Sequence, residues 1–238
     1  MPTRKLPVWL TDPEVDALLA QITTRSITGL RNRAMIAAML GAGLRVSEVV
    51  GLRGSDVDLT EGTVAVRDGK GGRDRTVPVD GETLGWLRAW GEKRRALGLD
   101  GRAPFFPRVR TKGLGGRSLG QHGPLAIRTV QLLVNRLMQQ AGLNKGRCGP
   151  HVLRHTFATR MLRRGFTLAE VRDLLGHADI RTTSIYLHAD PQDLRRKMKG
   201  ERQTEAQQVA EALLAKLPED VREALAAVLA GGGDARRG

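Results

Sequence analysis

The chain has 238 residues, of which 39 are Lys or Arg and 25 are Asp or Glu, giving a formal net charge of +14. This excess favours a polyanionic partner, DNA or RNA, whereas an aromatic content of 3% argues against a protein that stacks successive bases of a single strand on aromatic side chains. No apolar run approaches the ~20 residues of a membrane span, no signal-peptide pattern begins the chain, and the one cysteine cannot form an internal disulfide, so we expect a cytoplasmic protein.

The first 52 residues predict three helices. A capping box, Thr11-Asp12-Pro13-Glu14, indicates the start of the first, which we expect over Leu10 to Gln21. Ala, Met and Ile are frequent from Gly29 to Leu40, which favours a second helix ended by the glycines that follow. A third, short helix fits Arg45 to Leu52.

Arg45 and Glu48 are one helical turn apart, so their side chains can form an ion pair. If the pair lies on the surface, it contributes only ~0.2–0.5 kcal/mol and has no further meaning. If instead the carboxylate orients an arginine that binds a phosphate, the pair belongs to a functional site.

Two alternating segments, Thr63 to Asp68 and Arg75 to Val79, predict a β-hairpin. The loop between them reads GKGGR and carries Lys70 at its tip. A glycine-rich loop with a lysine can bind phosphate, but the spacing Gly-x4-Gly-Lys-Ser/Thr is absent, so an ATP site is not expected.

The middle of the chain predicts two helices separated by an irregular segment. Glu82 to Gly98 carries a partial apolar stripe, and Ala126 to Ala141 is strongly amphipathic. Between them, Leu99 to Pro124 is rich in glycine and proline, which predicts a long loop. Its apolar PFFP sequence, Pro104 to Pro107, is a candidate anchor for that loop.

The second half contains the side chains best suited to chemistry. A helix after Gly149 carries His151, Arg154 and His155, and His151 and Arg154 share a face because they are three residues apart. An imidazole can transfer a proton near neutral pH, and a guanidinium can bind two phosphate oxygens. Tyr186, the single tyrosine of the chain, is then a candidate nucleophile.

A second capping box predicts a helix from Thr167 to Leu175 that ends at Gly176, with His177 directly after it. Thr182 to Leu187 fits a short helix that carries Tyr186. Residues 1 to 190 are therefore expected to be mainly α with a small antiparallel β-sheet, an α+β fold.

Simpler interpretations exist for each of these residues. Tyr186 could be an amphipathic core residue, Arg154 a solvated helix charge, and Cys148 a small packing residue rather than a thiol nucleophile. His151 and His155, four apart, could bind zinc, but the helix lacks the Glu of the protease motif and Arg154 would repel a cation.

Several separate motifs resemble those of the tyrosine recombinase family, also called the phage integrase family, and they occur along the chain in the order that the family has. HVLRH followed by LLGHADIRTTSIYLH is similar to the second box of an Xer-like catalytic domain. GAGLRVSEVVGLRGSDVD looks like the first box, with its arginine at Arg45. The resemblance covers about Leu10 to about His188.

The resemblance implies cleavage of a phosphodiester by tyrosine, which leaves a 3′-phosphotyrosine and a free 5′-hydroxyl and needs no ATP. Because two arginines can neutralise the transferring phosphoryl group, we expect no metal or other cofactor. The expected catalytic residues are Tyr186 as nucleophile, Arg45 and Arg154 as phosphate-binding arginines, His151 as proton acceptor, Lys70 as general acid for the leaving oxygen and His177 as a hydrogen-bond donor to a nonbridging oxygen, with Glu48 and His155 in supporting roles.

The expected function is thus site-specific recombination of double-stranded DNA, with self-association of the protein into a tetramer on the DNA. Two alternatives use the same fold. A type IB topoisomerase also uses a tyrosine and two arginines, and a non-catalytic DNA-binding protein would need no nucleophile at all. The family also often has a third strand and a DNA-facing loop in the segment from Leu99 to Pro124.

The predicted domains are a catalytic domain over residues 1 to 190 and a helical extension over residues 191 to 238. A separate N-terminal domain that clamps DNA, usual in the family, is not evident before Leu10. Residues 201 to 238 carry a net charge of −2, which leaves +16 on residues 1 to 200. We therefore expect the extension to pack on its own domain or on a neighbouring protomer rather than on DNA.

Overall fold

A computed structural model describes residues 8–67, 74–109, 123–143 and 149–176. The chain divides into two units, Met1–His188 and Ala189–Gly238, and the described residues lie in the first. None of their helices is long and apolar enough to cross a membrane. In chain order the described elements are α1 (Asp12–Ala20), α2 (Ile27–Gly41), α3 (Val46–Gly51), a 3-10 turn (Gly54–Asp56), β1 (Val57–Asp58), β2 (Thr63–Val66), β3 (Arg75–Pro78), α4 (Gly81–Ala96), α5 (Ile127–Gln140), α6 (Pro150–Arg163) and α7 (Leu168–Leu175).

The helix ends follow the capping signals of the sequence. At α1 the backbone N–H of Thr11 donates to Oε2 of Glu14 at 2.8 Å, and at α7 the N–H of Thr167 donates to Oε2 of Glu170 at 2.6 Å. Gly176 then ends α7 in the left-handed region, with φ 63°, a conformation that glycine adopts without strain. Both predicted capping boxes are confirmed.

Helix α2 lies at the centre of the fold and packs mainly against α4 and α6. The side chains of Ala34, Met35, Ile36, Ala38 and Met39 have no exposed surface. A helix that is buried around most of its circumference needs small or flexible apolar side chains, and this composition supplies them. Helix α2 is therefore the central support on which the surrounding helices pack.

The three strands form one antiparallel sheet in the order β1-β2-β3, with Val64 paired to Val57 on one side and to Val77 on the other. The predicted hairpin is confirmed, and the mainly α fold with a small antiparallel sheet is as expected. The third strand is β1, which precedes the hairpin. In the described parts of the segment where the family often has a third strand, residues 99–109 and 123–124, only single bridges form. A strand of two residues is too short to show an alternating pattern.

The segment after α4 is anchored to the core, as the PFFP sequence suggested. Phe105 and Phe106 are buried and pack edge to face, with ring centroids 4.8 Å apart. The indole N–H of Trp90 donates to the carbonyl of Phe105 at 2.7 Å, and Arg94, buried beneath the loop, donates to the carbonyl of Asp100 at 2.9 Å. The carbonyl of the buried residue Phe105 therefore has a hydrogen-bond partner inside the protein.

Candidate active site

The candidate site is built around the carboxylate of Glu48, in the first turn of α3. Its side chain is only 6% exposed. Arg45, the residue that caps α3, donates to it twice: its backbone N–H to Oε2 and its Nη1 to Oε1, both at 2.7 Å. The carboxylate thus caps its own helix and orients the arginine three residues before it. The interpretation of this pair as an exposed surface contact is wrong.

Two further arginines face the same carboxylate from other elements. Arg75 of β3 donates through Nη1 to Oε1 of Glu48 at 3.0 Å and through Nη2 to Oε2 at 2.8 Å. Nη1 of Arg154, on α6, lies 3.8 Å from Oε2. The fold therefore brings Arg45, Arg75 and Arg154 from three separate elements to one buried carboxylate, and we call these four side chains the arginine cluster.

Arg75 is a site residue that the sequence reasoning missed. A weak signal existed, because Arg75 and Val77 are two apart in β3 and therefore point to the same face of the strand. Val77 is fully buried, and the side chain of Arg75 is only 8% exposed. A charged residue on the inward face of a strand requires a buried partner, which is Glu48.

The pKa of Glu48 is lowered from its usual 4.5 to about 2. Burial by itself would raise the pKa, but hydrogen bonds from Arg75 and from the backbone of Arg45, together with the charges of Arg75 and Arg154, outweigh burial. Glu48 is therefore ionised at neutral pH. One negative charge faces three positive ones, so the arginine cluster keeps a surplus of positive charge with which it can attract a phosphate.

The same three arginines hold the last carbonyls of α7. Arg75 donates through Nε to the carbonyl of Leu174 at 2.8 Å, and Arg154 donates through Nη2 to that of Leu175 at 2.6 Å. Nη2 of Arg45 lies 3.4 Å from the carbonyl of Gly176. Helix ends leave carbonyls without intrahelical partners, and cations near a helix C-terminus are favoured by its dipole. The end of α7 is thus fixed to the arginine cluster.

The arginines differ in how far they are open to solvent. The side chain of Arg45 is 24% exposed, whereas that of Arg154 is 6% exposed. The interpretation of Arg154 as a solvated helix charge is therefore wrong, because its guanidinium is buried on backbone carbonyls and beside Glu48. Arg45 offers the larger accessible edge to an incoming anion.

The two histidines of α6 are in different environments. His151 is exposed in the first turn of the helix, while His155 is half-buried. Burial and the nearby charges of His151 and Arg154 lower the pKa of His155 to about 4. His155 is therefore neutral at pH 7, which suits a supporting residue better than a proton carrier. Among the described residues no group of three His, Cys, Asp or Glu side chains is placed to bind a metal.

Three of the predicted catalytic residues lie outside the described parts of the chain. Lys70 falls between β2 and β3, in residues 68–73, while His177 and Tyr186 follow α7. The helix predicted over Thr182 to Leu187, Cys148 and the extension after residue 190 also lie outside them. The described geometry therefore brings together Arg45, Glu48 and Arg154 and adds Arg75.

The sequence profile of the Phage integrase family matches residues 8–193. The protein named "Tyrosine recombinase XerD" of Ralstonia nicotianae is 40% identical to this chain over 191 residues. "Tyrosine recombinase XerC" of Xylella fastidiosa is 42% identical over 191 residues. Each alignment covers 80% of this chain and 59% of the relative, so the chain matches about three fifths of the length of these relatives.

Solved structures of recombinases are also similar to this chain. The crystal structure of XerA recombinase is similar with a TM-score of 0.67 and 30% identity, over 84% of this chain and 67% of that one. XerH site-specific recombinase, bound to a palindromic difH substrate in a post-cleavage complex, has a TM-score of 0.62 and 29% identity, over 82% of this chain and 53% of that one. The α+β arrangement described above is therefore shared with these proteins.

Proposed function

The chain belongs to the phage integrase family, and we propose that it is a site-specific DNA recombinase that cleaves and rejoins duplex DNA through a 3′-phosphotyrosine intermediate. The observation that carries this proposal is the arginine cluster, in which Arg45 and Arg154 come from different elements and are oriented before any substrate arrives. Relatives named tyrosine recombinases, and a XerH structure with its DNA substrate, support the same assignment.

The arginine cluster suits phosphoryl transfer for an electrostatic reason. Attack on a phosphodiester concentrates negative charge on the equatorial oxygens of a five-coordinate phosphorus, and donors fixed in advance stabilise this charge without reorganising. Arg45 and Arg154 are the proposed donors. Glu48 and the carbonyls at the end of α7 hold their guanidinium groups in place, since an arginine fork keeps its direction when several of its N–H groups are bound.

In the proposed reaction, the phenolic oxygen of Tyr186 forms a bond to phosphorus while the bond from phosphorus to the 5′-oxygen breaks. A phenol of ordinary pKa ~10 is about three units from ionisation at pH 7, a cost of roughly 4 kcal/mol. Transfer of its proton to His151 reduces this cost, and Lys70 supplies a proton to the leaving 5′-oxygen. His177 donates a hydrogen bond to a nonbridging oxygen. Attack by the 5′-hydroxyl of a second strand reverses these steps and rejoins the DNA.

Double-stranded DNA is the proposed partner because the net charge of +16 on residues 1 to 200 matches a polyanion. For such binding, a plot of the logarithm of the association constant against the logarithm of the salt concentration has a slope of about −0.9 for each phosphate contacted. We further propose that several protomers, four in the complete complex, assemble on the DNA. Exchange between two duplexes requires four strand cleavages, and Tyr186 is the single tyrosine of each chain.

Covalent capture tests this function. Fragmented genomic DNA of the source organism is incubated with the full chain, the mixture is denatured, and DNA linked to protein is recovered and sequenced at its ends. Wild-type protein should capture fragments that end at a defined sequence, and Tyr186→Phe should capture none while it still shifts duplex DNA in native gels. Adducts that persist with Tyr186→Phe contradict the nucleophile.

The same preparation separates the alternatives. A topoisomerase would relax supercoiled plasmid at many sites and would not exchange strands between two duplexes that carry the captured sequence. A non-catalytic protein would bind DNA without any adduct. Exchange between two such duplexes, seen as recombinant products on a gel, is the outcome expected here.

A further inference from the structure

Arg75 differs from Arg45, whose side chain is 24% exposed, in how its donors are used. Its Nη1 and Nη2 bind the two oxygens of Glu48 at 3.0 and 2.8 Å, and its Nε binds the carbonyl of Leu174 at 2.8 Å. Its side chain is 8% exposed. Each nitrogen of the guanidinium thus has a protein acceptor, and little of the group is open to DNA.

These three bonds connect two parts of the proposed active site that are far apart in sequence. One is Glu48, which receives two hydrogen bonds from Arg45 and thereby sets the direction of that guanidinium. The other is the end of α7, after which the chain continues to His177 and, nine residues later, to Tyr186. Arg75 lies between them and contacts both.

We propose that Arg75 is a positioning residue that couples the orientation of the phosphate-binding Arg45, through Glu48, to the placement of the α7 end from which the nucleophile segment starts. This inference rests on the proposed function. Arg75 itself does not bind the scissile phosphate. Its loss leaves DNA affinity in place and reduces the rate of cleavage.

The environment of Gly176 supports this role of Arg75. A β-carbon at Gly176 would lie 2.9 Å from Nη1 and 3.0 Å from Cδ of Arg75, closer than side-chain carbons normally approach such atoms. Because Gly176 has no side chain, the side chain of Arg75 has room beside the end of α7. The position also has φ 63°, so a substitution there acts on the backbone as well.

The planar guanidinium group of arginine, with donors in several fixed directions, explains why lysine cannot substitute for Arg75. An ammonium group is a point charge on a flexible stem, and it cannot donate at once to two carboxylate oxygens and to a carbonyl in another direction. Arg75→Lys keeps the charge but loses the geometry. It therefore separates positioning from a general electrostatic effect.

The experiment compares Arg75→Lys with Arg94→Lys as a matched control. Arg94 is also buried and also donates to backbone carbonyls, those of Asp100 and Phe105, but it lies outside the arginine cluster. Three quantities are measured for each full-length variant: the melting temperature, the Kd for a nicked duplex that carries the captured site, and the single-turnover rate of adduct formation at saturating DNA.

Both variants should lose thermal stability, and both should keep a Kd within about threefold of wild type, because neither residue binds phosphate directly. Only Arg75→Lys should form adducts slowly, on the order of 10²-fold below wild type, since small misplacement of reacting groups has effects of this size. An unchanged rate for Arg75→Lys, a rise in its Kd that accounts for the slower reaction, or an equal rate loss in folded Arg94→Lys overturns the proposal.

A second pair of variants keeps the test decisive if Arg75→Lys does not fold. Gly176→Ala retains every charge and presses on Arg75, whereas Gly142→Ala has nearly the same backbone conformation, φ 69°, with nothing within 4 Å of the new methyl group. Gly176→Ala should form adducts far more slowly than Gly142→Ala at equal DNA occupancy. Equal rates overturn the proposal. If the wild-type protein forms no adduct on any DNA, the proposed function is wrong and this inference is wrong with it. If the wild-type protein forms adducts and the Arg75 and Gly176 variants form them equally fast, only this inference is wrong.

Discussion

Arg154 and Gly43 are 111 residues apart in sequence, yet Nη1 of Arg154 donates to the carbonyl oxygen of Gly43 at 2.6 Å. Gly43 lies two residues before Arg45. One candidate phosphate-binding arginine therefore holds the loop from which the other emerges. Because the bond is buried and is made without DNA, the relative position of the two guanidinium groups is set in advance, as electrostatic catalysis requires.

Gly43→Ala should destabilise the fold by about 2–4 kcal/mol, the sum of a left-handed backbone for alanine and of overpacking. Gly43 has φ 60°, and an added β-carbon would lie 2.9 Å from Cδ2 of Leu175 and closer still to Cδ1 of Phe157. The free energy of unfolding in urea measures the effect. Gly85→Ala is the control, because the new methyl group in α4 would meet nothing within 4 Å and should stabilise the helix by up to about 1 kcal/mol. Equal stabilities of the two variants would contradict the packing at Gly43.

Stability should depend on the ionisation of Glu48 at acid pH. The folded-state pKa is about 2, below the usual 4.5, so the stabilising effect is fully present above pH 4.5 and is lost as pH falls towards 2. Its size is on the order of 3 kcal/mol from the difference in pKa. The unfolding free energies of wild type and Glu48→Gln should therefore differ by a constant amount above pH 5 and converge below it. A difference that stays constant down to pH 2 would show that Glu48 is not the group responsible.

DNA cleavage should not change when metal ions are removed. The proposed donors to the scissile phosphate are Arg45 and Arg154, so neither a divalent ion nor a nucleotide is needed. The rate of adduct formation is measured in EDTA after dialysis, with and without added Mg²⁺ or Zn²⁺ as the control. A rate that collapses in EDTA and returns with one of these ions would support a metal site instead.

Lys70 should matter only while the leaving oxygen needs a proton. Lys70→Ala should cleave normal DNA slowly and should cleave DNA with sulfur at the bridging 5′ position nearly as fast as wild type, because a thiolate leaves without protonation. Single-turnover rates on the two substrates measure this ratio. Equal impairment on both substrates would exclude Lys70 as the general acid.

The extension after residue 190 should act on assembly rather than on DNA binding. Val209, Leu213, Leu214 and Leu217 recur at helical spacing, and short amphipathic helices of about 12 residues or fewer need a surface to pack against. Truncation after Lys199 should preserve the fold and duplex binding but reduce complexes of several protomers, seen by light scattering and gel shifts. Unchanged assembly would rule out docking on a neighbouring protomer, and an unfolded truncated protein would indicate packing on its own domain.

Local signals in the sequence were sufficient for much of the fold. Thr11 and Thr167 cap helices through residues three positions away, and Gly176 ends α7 by its own backbone conformation. Such features depend on neighbours within one turn, so they can be inferred without knowledge of the fold. The sequence motifs around Arg45 and Arg154 likewise indicated the family without knowledge of the fold.

Tertiary structure alone decided how these residues are used. The bond from Arg75 to Glu48 spans 27 residues and that from Arg154 to Gly43 spans 111, and no periodic pattern encodes either pairing. Burial of Arg154 likewise depends on the approach of α7, because the carbonyl of Leu175 accepts a hydrogen bond from its Nη2. Sequence periodicity reports which face of an element is apolar, whereas the partner of a buried charge is fixed only when separate elements pack together.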